Sequence, residues 1–145
     1  MAFNGTFDHT LDAKNRLTVP SKFRAALAGT VFVVRGSEPC LSVYPEALYM
    51  QLTDESLRGM APLSARYREL RRLFNARADD VELDGAGRIA LRVKQLEHAG
   101  ISGRDAVITG AGDCLEIWDR AAWESYDAEL TTRAAELTAS LGHPA

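Results

Sequence analysis

The feature that most constrains this chain is an internal repeat. Leu11-Asp12-Ala13-Lys14-Asn15-Arg16-Leu17 matches Leu83-Asp84-Gly85-Ala86-Gly87-Arg88-Ile89 at an offset of 72. Cys40-Leu41-Ser42-Val43-Tyr44 matches Cys114-Leu115-Glu116-Ile117-Trp118 at an offset of 74. Between them, Phe32-Val33-Val34-Arg35-Gly36 resembles Ala106-Val107-Ile108-Thr109-Gly110. Matches in the same order at nearly constant spacing mark a tandem duplication of a unit of about 50 residues. A unit of that size has little core of its own and exposes strand edges. Two such units in one chain are therefore expected to complete each other as one intertwined domain.

Each unit carries the same local signals. Phe3, Gly5, Phe7, His9 and Leu11 alternate with polar residues, the period of a half-buried strand. A turn at 12–15 leads to a strand at 16–19. Pro20 suits a helix start, so the pattern predicts a helix over 21–28 stopped by Gly29, then strands at 30–35 and 40–44. The second unit predicts strands at 79–83 and 88–91, a helix at 92–99 stopped by Gly100, and strands at 105–109 and 114–118. The expected class is α+β, mainly β, with four segments: a first repeat with a short helix at 46–53 (3–53), a linking basic helix (54–78), a second repeat (79–118) and a C-terminal helix and tail (119–145). In the linker, Leu63, Tyr67, Leu70 and Phe74 share one helical face. Asp119 can cap the last helix, where Trp123, Tyr126, Leu130, Leu137 and Leu141 fall on one stripe.

Composition narrows the class of function. With 145 residues, 46% hydrophobic, the chain is long enough for a packed core. No apolar run approaches the roughly 20 residues that span a bilayer, and the N-terminus lacks a secretory pattern. Two cysteines fit a reducing cytoplasm. A soluble, cytoplasmic protein is expected, with neither membrane association nor a small-molecule substrate. The net charge is −3, yet basic charge is segregated. Residues 1–35 balance to +3, residues 58–77 to +5 and residues 101–145 to −5. A local nucleic-acid footprint requires such segregation.

The candidate site is the Asp-x-x-x-Arg turn that occurs in both repeats. Gly85 and Gly87 can supply positive φ in the second copy, and Asn15, at the position of Gly87, tolerates it in the first. One reading is that Asp12 and Asp84 orient Arg16 and Arg88 as stiff donors on a projecting ribbon, because a planar guanidinium bonds phosphate or guanine bidentately. The other is that each pair only staples a turn. Lys14, Lys22 and Arg24 lie close by in sequence.

The stretch from Gly5 to Arg24, Gly-Thr-Phe-Asp-His-Thr-Leu-Asp-Ala-Lys-Asn-Arg-Leu-Thr-Val-Pro-Ser-Lys-Phe-Arg, closely resembles the opening of MraZ proteins. Residues 83–88 and Glu116-Ile117-Trp118-Asp119 resemble their second half. The resemblance implies a pair of AbrB-like swapped-hairpin units (β-β-α-β-β) with pseudo-twofold symmetry. It also implies a ring-shaped homo-oligomer that regulates transcription by binding short direct repeats in double-stranded DNA. Such sites would lie upstream of the division and cell-wall gene cluster that the gene itself heads, which makes the protein nucleoid-associated. DNA contact carries over most firmly to Arg16 and Lys14, with Asn15, Lys22, Arg24 and Arg88 as further candidates. Asn15 departs from the glycine usual in the family. The first loop is expected to dominate, because Lys14 has only Ala86 as its counterpart.

Other chemistry finds no frame. His9, His98 and His143 are scattered and no paired-ligand spacing includes Cys40 or Cys114, so neither a metal nor a cofactor is expected. No nucleophile motif or phosphate-loop lysine is present, so no catalytic residue is assigned. The arginines at 66, 68, 71, 72 and 77 could meet DNA phosphates, but pairing with Glu124, Asp127, Glu129 and Glu136, within the chain or between subunits, is the favoured reading. The alternative to a DNA regulator is a protein-interaction module, antitoxin-like, whose acidic last helix engages another protein.

Overall fold

The computed structural model describes residues 3–142. Strands β1 (Thr6–Thr10), β2 (Arg16–Thr18), β3 (Thr30–Arg35) and β4 (Leu41–Pro45) precede helices α1 (Glu46–Leu57) and α2 (Ala65–Ala76). Strands β5 (Ala78–Glu82) and β6 (Arg88–Ala90), helix α3 (Val93–Ala99), strands β7 (Asp105–Gly110) and β8 (Leu115–Asp119), and helices α4 (Arg120–Thr132) and α5 (Ala134–Ala139) follow. The class is α+β with antiparallel sheets.

Strand pairing mixes the two halves of the chain. A six-stranded sheet runs β1-β7-β8-β4-β3-β5, and β2 pairs with β6 in a separate two-stranded ribbon. Exchanging β1–β4 for β5–β8 maps this pairing onto itself. β1 on β7 corresponds to β5 on β3, while β4–β8 and β2–β6 are self-paired. Each half thus supplies the outer strand that covers the other half's β7 or β3, and β1 and β5 form the edges of the sheet.

The core lies between the sheet and the ribbon. Val31, Val33, Leu41, Val43, Ile108, Leu115 and Ile117 from the sheet meet Leu17 and Ile89 from the ribbon, all of them buried. Each contributes about 1.5–3 kcal/mol by leaving water. The other sheet face is covered by helices. Tyr49 of α1 packs on Phe32 and Tyr44, and Trp123 and Tyr126 of α4 pack on Trp118. Being covered on both faces, β3 and β7 read as continuous apolar runs. The ribbon and helices α1 and α4 therefore lie on opposite faces of the large sheet.

Four local expectations are corrected. The segment 21–28 is not an α-helix: a 3-10 turn at Ser21–Phe23 is followed by further turns. No side-chain cap hydrogen bond supports the start of this segment, so little offsets helix nucleation, and Phe23 and Leu27 are buried without a continuous helix. The equivalent α3 does form: Arg92 N–H donates to Gln95 Oε1 at 2.7 Å at its start, and Gly100 ends it at φ 67°. The first strand begins at Thr6, because Gly5 at φ 92° turns the chain, leaving Phe3 in an isolated bridge to Gly112. Leu63 precedes α2, whose start is capped by the Ser64 hydroxyl accepting from Tyr67 N–H at 3.1 Å, and is 88% exposed. The last helix breaks at Arg133 (φ −102°, ψ 1°) and leaves Leu137 and Leu141 exposed. His143 and the end of the tail lie outside the described residues.

Cys40 and Cys114 are buried beside β4 and β8, where burial pushes their thiols up to about 12 and about 11. They are inert small side chains of the packed interior. Among the described residues no helix is long and apolar enough to cross a membrane.

Candidate nucleic-acid interface

Two turns with the same skeleton flank the β2–β6 ribbon. In the first, Asp12 Oδ1 accepts from the backbone N–H groups of Lys14 and Arg16, each at 2.9 Å, and Oδ2 accepts from Arg16 Nε at 2.7 Å. In the second, Asp84 Oδ1 accepts from Ala86 and Arg88 N–H at 3.0 and 2.9 Å, and Oδ2 accepts from Arg88 Nε at 2.8 Å. A short polar side chain bonding its own backbone two residues on is the mechanism that makes Asp a turn former. Here it also takes hold of the arginine four residues on.

The turns are closed by Asn15 N–H donating to Asp12 carbonyl at 3.0 Å and by Gly87 N–H donating to Asp84 carbonyl at 2.9 Å. Asn15 has φ 57° and Gly87 φ 75°, so the left-handed position foreseen at both sites is real. Gly85 needs no positive φ. The turns also grip each other's strand. Leu91 N–H donates to Asn15 carbonyl and Val19 N–H to Gly87 carbonyl, both at 2.9 Å. They are therefore not separate hairpin tips. Each lies at one end of a single ribbon whose strands pair Arg16 with Ala90, Leu17 with Ile89 and Thr18 with Arg88.

Alternation turns Leu17 and Ile89 into the core and leaves Arg16, Thr18, Arg88 and Ala90 on the outer face. There the Arg88 guanidinium reaches across to within 4.0 Å of Asp12 Oδ2. Hydrogen bonds to both carboxylates, first from the arginine backbone amide and then from the guanidinium, hold them below the usual range. Asp12 falls to about 2 and Asp84 is also lowered. Both are ionised at neutral pH. Each arginine is anchored to its own aspartate through Nε, and Arg88 Nη1 also lies at ion-pair distance from Asp12; among the described residues no hydrogen bond engages the terminal nitrogens of Arg16 or Arg88. Those paired donors are what bidentate recognition uses.

The other candidates separate. Lys14 and Asn15 are exposed on the first loop. Arg24 lies against the second loop: its Nε donates to Val19 carbonyl at 3.1 Å, and a Cβ on Gly87 would meet the guanidinium at 2.2 Å. Gly87 is thus favoured by its φ, and any larger residue there would also have to displace the Arg24 guanidinium. Lys22 sits over the Phe7 and Phe23 rings, 5.1 and 4.8 Å from their centroids, with its Nζ 3.5 Å from Asn4 Oδ1. The structure joins Lys22 to the start of β1, not to the loops. Thr18, between the two arginines on the outer face, was passed over in the sequence, although period-two alternation from Arg16 was enough to place it there.

The acidic last helix does not neutralise the arginine-rich one within the chain. Among the described residues no arginine of α2 forms an ion pair, whereas Arg120 of α4 lies 3.9 Å from Asp8 and 3.8 Å from Asp105.

Comparison with known proteins gives concordant results. The family model described as "MraZ protein, putative antitoxin-like" matches residues 2–69 and 74–140. A transcriptional regulator MraZ of Salinispora tropica is 40% identical over 135 residues, which cover 93% of this chain and 94% of that one. One of Symbiobacterium thermophilum is 37% identical over 95% of this chain and 99% of its own. Another, of Mycobacterium bovis, is 42% identical over 86% and 85%.

Proposed function

Given that this chain belongs to the MraZ family, we propose that it is a non-enzymatic, sequence-specific DNA-binding regulator of transcription that reads short direct repeats in a promoter, that of its own division and cell-wall gene cluster. The observation that carries this reading is the ribbon face on which two Asp-anchored arginines present terminal donors that no hydrogen bond among the described residues engages, with Arg88 Nη1 at ion-pair distance from Asp12. A two-stranded ribbon fits the major groove, where arginine bonds guanine O6 and N7. Arg16 and Arg88 supply base or phosphate contacts, Lys14 and Asn15 extend the first loop, and Asp12 and Asp84 orient. Arg24 acts by bracing the second loop, and Lys22 contributes charge from the side.

One ribbon makes few contacts, so subunits repeated along DNA gain affinity by avidity. Direct repeats match head-to-tail subunits, which close into a ring when the rotation permits. The exchange-symmetric strand pairing supports a fold of two AbrB-like swapped-hairpin repeats, 3–53 and 79–118, with 54–78 linking them and 119–145 appended. Such a protein acts in the cytoplasm, at the nucleoid.

The test is fluorescence anisotropy on DNA from upstream of the gene, with scrambled DNA and Arg16→Ala alongside over a salt series. Tight upstream binding that Arg16→Ala abolishes and salt weakens steeply is expected. Equal weak binding to both DNAs, indifferent to Arg16→Ala, would sink the reading and leave the antitoxin-like protein-interaction module.

A further inference from the structure

The β2–β6 ribbon is symmetric in its backbone and its arginines, and it breaks that symmetry at one other pair of positions. Exchanging the two repeats turns the ribbon about the Leu17–Ile89 pair, which interchanges Arg16 with Arg88 and Thr18 with Ala90. With Leu17 and Ile89 buried, those four side chains make up the outer face of the two strands. The arginines occupy one diagonal and Thr18 and Ala90 the other, so Arg16 lies opposite Ala90 and Thr18 opposite Arg88. Thr18 is half-buried among its neighbours and Ala90 is exposed. Among the described residues no hydrogen bond engages the Thr18 hydroxyl.

A twofold protein surface reads a palindrome, because both directions along the duplex offer it the same contacts. The two arginines alone would therefore bind a repeat equally well either way round. Direct repeats have a direction, and some side chain on each ribbon has to read it. Lys14 and Asn15 differ from Ala86 and Gly87, but they sit on the loops that flank the ribbon's ends. Side chains there meet the phosphate backbone, which positions a protein and carries no base identity. In the middle of the outer face the two repeats differ as Thr18 against Ala90. An alanine methyl offers apolar contact to a thymine methyl, whereas threonine adds a hydroxyl that bonds base edges.

We propose that Thr18 is a specificity-determining residue: its hydroxyl bonds the edge of one base pair on its side of the ribbon's pseudo-dyad and so gives each ribbon a direction along the DNA. It rests on the DNA reading proposed above and names the residue that breaks the symmetry of that site. Ala90 leaves the dyad-related base pair without a hydrogen bond. The arginines then supply the symmetric part of recognition and Thr18 the polar part.

The experiment is an anisotropy competition with the full chain on DNA from upstream of the gene, each base pair of one repeat being replaced in turn. Wild type is expected to discriminate at positions that are not symmetric about the repeat's centre. Thr18→Val keeps the shape and the β-branching and removes only the hydroxyl. It should lose roughly three- to tenfold of the discrimination at one base pair, with the other positions unchanged. Thr18→Ser, which retains the hydroxyl, should keep that preference. The exchange Thr18→Ala/Ala90→Thr should carry it to the base pair on the other side of the centre. A Thr18→Val profile identical to wild type would overturn the assignment and leave direction to the unequal arginines, Arg88 Nη1 lying 4.0 Å from Asp12. A loss spread evenly over every position and over scrambled DNA would overturn it as well, since a base contact acts at one place. Wild type that binds upstream and scrambled DNA alike would overturn the DNA reading together with it.

Discussion

The loops at 12–16 and 84–88 are built alike and equipped differently. Their carboxylate bonds agree within 0.1 Å, position for position. What points outward does not agree. The first carries Lys14 and Asn15 where the second carries Ala86 and Gly87. The second is instead packed from beneath by Arg24, whose guanidinium must move aside for any side chain at 87, and it borders a cleft that includes Glu82. Leu96 occupies the place corresponding to Arg24 in the other repeat, so the position of Asn15 demands only a tolerance of positive φ. A duplicated turn has kept the bonds that hold its arginine and diverged in the side chains that reach a partner.

The sharpest way to break this comparison is to remove each arginine in turn. Losing a bidentate base contact costs about 1–3 kcal/mol per engaged loop. Arg16→Ala is expected to pay that in anisotropy titrations on upstream DNA, and Arg88→Ala clearly less. Equal losses would mean that both loops read DNA equally, against the proposed dominance of the first. Next in size is Gly87→Ala. Displacing Arg24 and placing Cβ at φ 75° should destabilise the fold by roughly 1–3 kcal/mol in urea unfolding, whereas Asn15→Gly should stay within about 0.5 kcal/mol. A harmless Gly87→Ala would show that Arg24 swings away freely.

A smaller effect is expected from Lys14→Ala, which should lower the slope of log affinity against log salt by about one for each engaged loop. The reciprocal Ala86→Lys should raise it, and an unchanged slope in both would remove Lys14 from the interface. The smallest signal is in acid. Asp12 titrates lower folded than unfolded, so the stability it contributes is present above about pH 4 and is lost as pH falls towards about 2. Wild type should therefore lose thermal stability over that window more steeply than Asp12→Asn. Asp84→Asn should behave in the same way, since its shift has the same sign and the same first cause.

Where residues act on near neighbours, sequence reasoning reached the structure. The Asp-x-x-x-Arg turn, the left-handed residue at Asn15, the helix stop at Gly100 and the Asp119 cap, whose carboxylate accepts from Ala122 N–H at 3.1 Å, are settled within a few residues of backbone. Strand phase was legible for the same reason, since side chains alternate whatever the strand pairs with. The helix expected at 21–28 failed because local propensity was marginal and burial of Phe23 and Leu27 decided the conformation.

What the sequence by itself determined is thus the pair of turns, the faces of their strands and the repeat that relates them. Only the tertiary structure decided that β1 pairs with β7 and β2 with β6, bringing Arg16 and Arg88 onto one ribbon. It alone set Arg24 beneath Gly87, gave Lys22 to Phe7 and Phe23, and kept α2 from α4. The physical reason is range. A turn is fixed by bonds four residues long, whereas choosing a strand's partner weighs segments about 70 residues or more apart. That choice depends on which pairing buries both repeats' apolar faces at once.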